Sequence, residues 1–199
     1  MLYNLVMTDF KPLVIPDVIL VQPRRFGDVR GYFSETYVKP RYAANGIGAD
    51  FLQDNESLSA ETGTVRGLHM QAPPFAQAKL VRVLSGAIYD VAVDVRKGSP
   101  TYGRWVGARL TAEGGEQLYI PQGFAHGFCT LAPDTRVAYK VDAVYDQASE
   151  RGIIWNDPDL AIDWTCGDGE KILSDKDRIL PRLKDLDSPF AYQGTASER

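Results

Sequence analysis

Short runs of β-branched and aromatic residues, separated by glycine and proline, recur through the middle of this sequence. In the clearest run, Ala87 to Val95, Asp90 and Asp94 share one face while the valines point the other way. A period of two is the pattern of a β-strand. Similar runs occupy residues 18–21, 80–84, 105–110, 117–120, 127–131 and 136–141. Many short strands at this spacing predict an all-β sandwich or barrel.

Helical segments are few. Lys39 to Asn45 is one short candidate, with Gly46 as a possible C-cap, and Asp175 to Leu183 is another. No internal repeat, low-complexity tract or linker divides the 199 residues, and that length is usual for one domain. We therefore expect a single domain over 1–199, with a frayed polar tail at about 193–199.

Net charge, the length of the apolar runs and the cysteines indicate which partners and which cellular compartment to expect. A net charge of -4 gives no electrostatic case for nucleic acid, although a local basic cluster can still bind a small anion. No apolar run approaches the roughly 20 residues of a membrane span, and the N-terminus lacks the pattern of a signal peptide. We expect a cytoplasmic protein without a membrane partner. Because Cys129 and Cys166 fit neither a metal-binding spacing nor a disulfide framework, we expect reduced, structural cysteines.

The two histidines of the chain, His69 and His126, both lie in glycine-containing segments. With an ordinary pKa of about 6.5, imidazole is both a proton carrier and the commonest metal ligand. A histidine on a strand can also be only a hydrogen-bonded structural residue. These residues alone leave all three interpretations open.

One stretch resembles metal-binding jelly rolls of the cupin type. Their motif P-x-G-x-x-H matches Pro121, Gly123 and His126. Their other motif, G-x5-H-x-H followed by glutamate, is matched by Gly63 and His69, but Gln71 replaces the second histidine and residues 72–76 contain no glutamate. Two imidazoles are fewer than the three or four protein ligands of a usual site. The sequence therefore predicts a cupin-like frame without a metal.

Charged residues flank the first histidine. Arg66 and His69 are three positions apart, so a regular strand would place them on opposite faces unless Gly67 marks a bulge that re-aims them. Lys79 follows, and Arg30 and Glu35 lie nearer the N-terminus. Taken singly, each of these charges is more simply explained as part of a solvated surface.

Taken together, the segments resemble the dTDP-4-dehydrorhamnose 3,5-epimerase family of deoxysugar biosynthesis. The matching stretches run in family order from about residue 17 to residue 178 and extend nearly the whole length of the predicted domain. They are GYFSE at 31–35, QDN at 53–55, RGLHMQ at 66–71, QAKLV at 77–81, DVAVD at 90–94, SPT at 99–101, IPQGFAHGF at 120–128, YK at 139–140, IWNDP at 154–158 and LSDKD at 173–177.

This resemblance implies a metal-free, cofactor-free jelly roll, usually a homodimer in which strands pass between subunits. It implies inversion of C3 and/or C5 of dTDP-4-dehydro-6-deoxyglucose through an enolate, giving dTDP-4-dehydrorhamnose. By resemblance, His69 is the general base and Asp177 orients its imidazole. Tyr139 is the proton donor on the opposite face of the sugar, and Lys79 stabilises the enolate oxygen at C4.

The same resemblance implies a set of substrate-binding residues. They are Arg30, Glu35, Gln53, Asn55, Arg66, His126, Glu150 and Lys176, with Tyr145 as the aromatic residue that stacks on thymine. The chain departs from the family at Met70, where tyrosine is usual; a thioether can fill the same space.

Two other classes of protein remain as alternatives. A metal-dependent cupin oxygenase is disfavoured by Gln71 and by the missing glutamate. A cupin-like sugar-binding protein without catalysis would need neither a base nor an acid, and both His69 and Tyr139 lie in their expected motifs.

Overall fold

The computed structural model of the chain describes residues 8–167 and 169–194. These residues form thirteen strands and two short α-helices. The strands are β1 (Asp9–Pro12), β2 (Ile19–Gln22), β3 (Phe26–Asp28), β4 (Gly31–Phe33), β5 (Gln53–Ser59), β6 (Val65–Gln71), β7 (Lys79–Ser85), β8 (Ala87–Asp94), β9 (Trp105–Thr111), β10 (Gln117–Ile120), β11 (Phe124–Thr130), β12 (Thr135–Val141) and β13 (Glu150–Gly152); the helices are α1 (Lys39–Ala43) and α2 (Asp175–Arg178).

Two antiparallel sheets stack on each other. The larger has the order β1-β2-β10-β7-β12-β5, and the smaller has the order β13-β6-β11-β8-β9. Ile88 and Ala92 of β8 share one buried cluster with Val81 of β7 and Leu118 of β10, so this cluster fills the space between the sheets. The arrangement confirms the predicted all-β sandwich.

The outer face of the smaller sheet is covered by the chain that follows β13. Val91 and Val93 of β8 pack there against Leu160, Trp164 and Leu183. As a result β8 is buried on both faces, one facing the larger sheet and the other facing this C-terminal segment. Met70 also points into this outer cluster with 4% exposure, so its thioether fills core space.

Both predicted helices are present but shorter than expected. The first ends at Ala43, and Gly46 follows with a positive φ of 88° as part of the turn beyond it. The second ends at Arg178. Pro181 restricts Leu180, the residue before it, to extended backbone, so the helix cannot reach Leu183. Among the described residues, no helix is long and apolar enough to cross a membrane.

The expectation of reduced cysteines is wrong. Cys129 of β11 and Cys166 of the C-terminal segment form a disulfide, with their Cα atoms 6.4 Å apart. The two residues are 37 positions apart in sequence, and only the folding of the C-terminal segment over the smaller sheet brings them together. Spacing along the chain carries no signal for such a pair. The predicted frayed tail extends beyond the described residues from 195 onward.

A bulge between β6 and β11 controls which way β6 directs its side chains. His69 pairs with His126 and Arg66 pairs with Phe128, so β6 has one residue more than β11 between these pairs. This confirms the expected bulge at Gly67. The extra residue turns Arg66 and His69 toward the same cavity, although they are three positions apart.

Two glycines make the bulge possible. A Cβ on Gly127 would lie 2.8 Å from the carbonyl oxygen of Arg66 and 3.0 Å from the Cα of Gly67. Gly67 has a φ of 131°, and a Cβ there would lie 2.5 Å from the Cα of Gly127. The two strands therefore approach closely because neither position carries a side chain.

We predict that Gly127→Ala lowers the free energy of unfolding by about 1–3 kcal/mol, the usual cost of forcing extra volume into packed structure. The new methyl group must push β6 away from β11, because the two backbones already touch there. Denaturant unfolding measures the effect. Gly48→Ala is the matched control, because a Cβ at Gly48 meets nothing within 4 Å. Equal stability of the two variants would contradict the close approach.

Candidate active site

A cavity of about 620 Å³ opens between the sheets, beside the apolar cluster that joins them. A smaller hollow of about 150 Å³ shares His69, Lys79 and Tyr139 with it, so the two form one continuous cleft. Every residue predicted for the site lines this cleft except Arg30 and Glu35. The residues are His69, Lys79, Tyr139, Asp177, Gln53, Asn55, Arg66, His126, Tyr145, Glu150 and Lys176.

His69 and Asp177 form a close pair although they are 108 positions apart in sequence. The imidazole Nε2 lies 2.6 Å from Oδ1 of Asp177. Because a carboxylate only accepts hydrogen bonds, Nε2 carries the proton and Nδ1 keeps its lone pair. Burial alone would raise the pKa of Asp177, but hydrogen bonds from His69 and Ser174 outweigh it and lower that pKa. The pair has the arrangement of an oriented general base.

Asp177 is held by the elements around it. It lies in α2, a single turn whose N-cap Ser174 accepts a hydrogen bond from the Asp177 backbone N–H. The backbone N–H of Gly67 also donates to the Asp177 carboxylate. The bulge that exposes His69 thus also supports the acid that orients it.

Lys79 and His126 lie on facing sheets in the interior of the cleft. The Lys79 ammonium nitrogen is 3.4 Å from Nδ1 of His126, and Nε2 of His126 is 2.7 Å from Oδ1 of Asp90. Burial lowers the pKa of Lys79 to about 8, although Asp90 and Glu150 oppose the shift. Burial likewise lowers the pKa of His126. Asp90 was not among the predicted site residues, although it lies within a matched stretch.

Tyr139 approaches the cleft from β12, where it pairs with Asn55 of β5. Burial raises the pKa of its phenol, and nearby Arg66 partly opposes that shift. Arg66 is fixed by hydrogen bonds to the hydroxyl of Ser59 and the carbonyl of Leu58. Tyr139 and His69 therefore belong to opposite sheets, with the cleft between them.

One end of the cleft is built from amide, phenol and carboxylate groups. Gln53 donates to Asn55 and accepts from the backbone N–H of Tyr145. The Tyr145 hydroxyl lies 3.3 Å from Glu150, which also pairs with Lys176. Tyr145 is more than half exposed, so its ring is available to a ligand at the mouth.

Arg30 and Glu35 lie apart from the cleft lining. Arg30 forms an ion pair with Asp28 in the β3–β4 hairpin, and Glu35 forms one with Arg41. The Arg30 side chain is 85% exposed. Within one chain, these two residues therefore do not join the others.

Gln71 occupies the position of a metal-ligating histidine in the cupin motif, and all of its polar atoms are engaged. Its amide nitrogen donates to the carbonyls of Phe75 and Val144, and its oxygen accepts from the backbone N–H of Asp146. Gln71 thus joins two loops at the rim of the cleft. Among the described residues, no group of three histidine, cysteine or acidic side chains could hold a metal.

Further lining residues had no individual signal in the sequence. They are Ser57, Thr64, Phe128, Ile172, Leu173 and Ser174. Ser57 lies two positions after Asn55 on β5, so the strand period of two places it on the same face as the predicted residues Gln53 and Asn55.

Comparison with known proteins agrees with this geometry. The family model for dTDP-4-dehydrorhamnose 3,5-epimerase matches residues 12–185. A protein of that name from Sinorhizobium fredii is 52% identical over 183 residues, which cover 92% of this chain and 93% of the relative.

Solved structures give the same result. A dTDP-6-deoxy-D-glucose-3,5-epimerase from Legionella pneumophila, in complex with dTDP-4-keto-L-rhamnose, has a TM-score of 0.89 and 42% identity, over 94% of this chain and 100% of that one. A dTDP-4-dehydrorhamnose 3,5-epimerase from Bacillus anthracis with TDP and pyrophosphate bound has a TM-score of 0.85 and 51% identity, over 88% and 99%. The cupin-like jelly-roll class is thereby confirmed, and so is the resemblance. The chain belongs to the dTDP-4-dehydrorhamnose 3,5-epimerase family.

Proposed function

We propose that the chain inverts C3 and/or C5 of dTDP-4-dehydro-6-deoxyglucose, with His69 as the base and Tyr139 as the acid. The product is dTDP-4-dehydrorhamnose, an intermediate of dTDP-rhamnose biosynthesis. The observation that carries these roles is the convergence of an oriented imidazole, a buried ammonium and a half-buried phenol on one cleft.

Removal of a proton next to a ketone needs two groups at once. The free Nδ1 of His69 takes the proton, while Asp177 stabilises the imidazolium that forms. The electron pair left on carbon moves to the C4 oxygen, where the Lys79 ammonium stabilises the negative charge. Burial strengthens that attraction, because less water screens it.

Inversion requires that the proton return from the other side. Tyr139 lies on the sheet opposite His69 and is half-buried in the cleft wall. Its raised pKa keeps it protonated until the enolate accepts the proton, and nearby Arg66 stabilises the phenolate that remains. A base and an acid on opposite walls favour an epimerase over a sugar-binding protein without catalysis.

The nucleotide part of the substrate fits the polar end of the cleft. Arg66 offers a fixed guanidinium to the diphosphate, and the exposed Tyr145 ring offers a stacking surface to thymine. Gln53, Asn55, Glu150 and Lys176 complete this end. His126 lies deeper, beside Lys79.

We also propose a homodimer in which each β3–β4 hairpin reaches the partner. The hairpin pairs with no other described strand, and its Tyr32 and Phe33 are 60% and 66% exposed. Apolar side chains exposed on an unpaired hairpin are typical of a contact surface. The exchange would carry Arg30 and Glu35 to the partner's cleft, which neither reaches within its own chain.

The whole chain would then act as one domain, since the C-terminal segment packs on the smaller sheet.

The proposed compartment is the cytoplasm, where nucleotide-activated sugars are made. The disulfide between Cys129 and Cys166 is the described feature that argues against a reducing compartment.

We predict that His69→Asn abolishes deuterium uptake from D2O at every exchanging carbon, a loss of at least about a hundredfold in rate. Among the described cleft residues, the other imidazole is His126, and both of its nitrogens already face partners, Asp90 and Lys79. Asp177→Asn should slow exchange less, since the imidazole remains. NMR of the substrate in D2O measures both rates. Normal exchange in His69→Asn would place the base elsewhere.

We predict that Tyr139→Phe slows inversion by about a hundredfold or more while part of the deuterium exchange remains. His69 can still remove a proton and return a deuteron to the same face. The matched control is Tyr119→Phe, which removes a buried phenol hydroxyl of β10 outside the cleft and should leave both rates unchanged. Equal loss of exchange and inversion in Tyr139→Phe would mean that Tyr139 helps to form the enolate.

Co-expression of two inactive variants tests the hairpin exchange. In a heterodimer of an Arg30→Ala chain and a His69→Asn chain, one cleft receives both native residues if Arg30 serves the partner. Random pairing then restores about a quarter of wild-type sites. Arg66→Ala with His69→Asn is the control. Both residues line the cleft of their own chain, so each cleft of that heterodimer lacks one of them and no activity should be recovered. Lack of recovery in the first pair would refute the exchange.

A further inference from the structure

Asp90 is a buried carboxylate behind the cleft wall. It lies on β8, is 0% exposed and does not line the cavity. One oxygen lies 2.7 Å from Nε2 of His126, and the other has no hydrogen-bond partner among the described residues. An ionised carboxylate without solvent and with a single polar contact is costly to bury, so its position calls for an explanation.

The partners of His126 determine where its proton lies. The Asp90 carboxylate only accepts hydrogen bonds, so Nε2 must donate. The Lys79 ammonium only donates, and it lies 3.4 Å from Nδ1, so Nδ1 must accept. Both contacts are favourable only for a neutral imidazole with its proton on Nε2. Burial and the Lys79 charge lower the pKa of His126 and keep it neutral, against the pull of Asp90.

The resulting row, Asp90–His126–Lys79, has opposite charges at its two ends. Asp90 and Glu150 are the acids that raise the pKa of Lys79 against its burial. Of these, Glu150 also pairs with Lys176, whereas His126 is the one hydrogen-bonding partner of Asp90 among the described residues. Of the two acids near Lys79, Asp90 is therefore the one that forms no ion pair with another lysine or arginine among the described residues.

We propose that Asp90 is a positioning residue of the epimerase, which fixes His126 in its Nε2–H form so that His126 holds the Lys79 ammonium charged and directed into the cleft. The inference rests on the proposed function, because it takes Lys79 to be the group that stabilises the enolate.

The first test needs no substrate. Since the chain has two histidines, ¹⁵N-labelled histidine gives spectra in which the two rings can be assigned with His69→Asn as reference. We expect His126 to remain neutral through the neutral pH range with its proton on Nε2. A proton on Nδ1, or an imidazolium at neutral pH, overturns the proposal whatever the activity of the enzyme.

The second test is Asp90→Asn, which keeps the shape of the side chain and removes its charge. The alkaline limb of the kcat profile should move to lower pH by about one unit, the lower end of the effect of a nearby opposite charge. KM should change little, because Asp90 does not reach the cavity. Asp94→Asn is the matched control. Asp94 lies on the same strand and face as Asp90 and is equally buried, but it is hydrogen-bonded to Arg96, Ser99 and Thr101.

Asp94→Asn should lower the free energy of unfolding and leave the alkaline limb of the kcat–pH profile at its wild-type position. An unshifted limb in Asp90→Asn overturns the inference while leaving the proposed function intact. If wild-type protein exchanged no substrate protons at all, the proposed function would fail, and the histidine spectra would still decide the state of His126.

Discussion

The close approach of β6 and β11 at Gly67 and Gly127 is the constraint on which the site depends. Without side chains at these positions, the strands can accommodate one extra residue in β6. That residue turns Arg66 and His69 toward one cavity and directs the Gly67 N–H to Asp177. The proposed diphosphate-binding group, the proposed base and the support of its carboxylate partner thus all follow from one irregularity in the β6–β11 pairing.

Around this bulge, the cleft holds two carboxylate–imidazole pairs with different surroundings. His69 bonds to Asp177 and keeps a free nitrogen toward the cavity. His126 bonds to Asp90, but its second nitrogen already faces the Lys79 ammonium. The first imidazole is available to take a proton, whereas the second is engaged on both sides. In the proposed mechanism, the same chemical pair therefore serves proton transfer at His69 and charge placement at His126.

The sequence predicts the strands whose buried faces are β-branched, and it fails where the buried face is polar. The alternation of β8 and the boundaries of β10 are read directly, because apolar burial selects valine, isoleucine and leucine there. Polar β5 gives no such signal: Gln53, Asn55 and Ser57 face a cleft, so its strand character is invisible to hydrophobic periodicity. The disulfide is missed for a related reason, since its two ends meet only through tertiary packing.

The candidate site shows the same division. Proximity in sequence suggests Arg66, His69 and Lys79 together, but Asp177 comes to His69 only by resemblance to a family, from 108 positions away. Asp90 is visible as a member of a strand pattern, and nothing in that pattern distinguishes it from Asp94. The structure does: Asp94 is bonded to a neighbouring arginine and two hydroxyls, whereas Asp90 has a histidine as its partner.

Gln71, at the position where the cupin motif has a histidine, joins two loops by hydrogen bonds. Its amide bonds to two carbonyls and one N–H, tying the loop after β6 to the loop after β12. These bonds fix the orientation of the Gln71 amide at the rim of the cleft. The positive charge proposed for the developing enolate is the Lys79 ammonium, whose burial lowers its pKa. On that proposal, the acids that oppose this shift, Asp90 and Glu150, contribute to catalysis by keeping Lys79 charged.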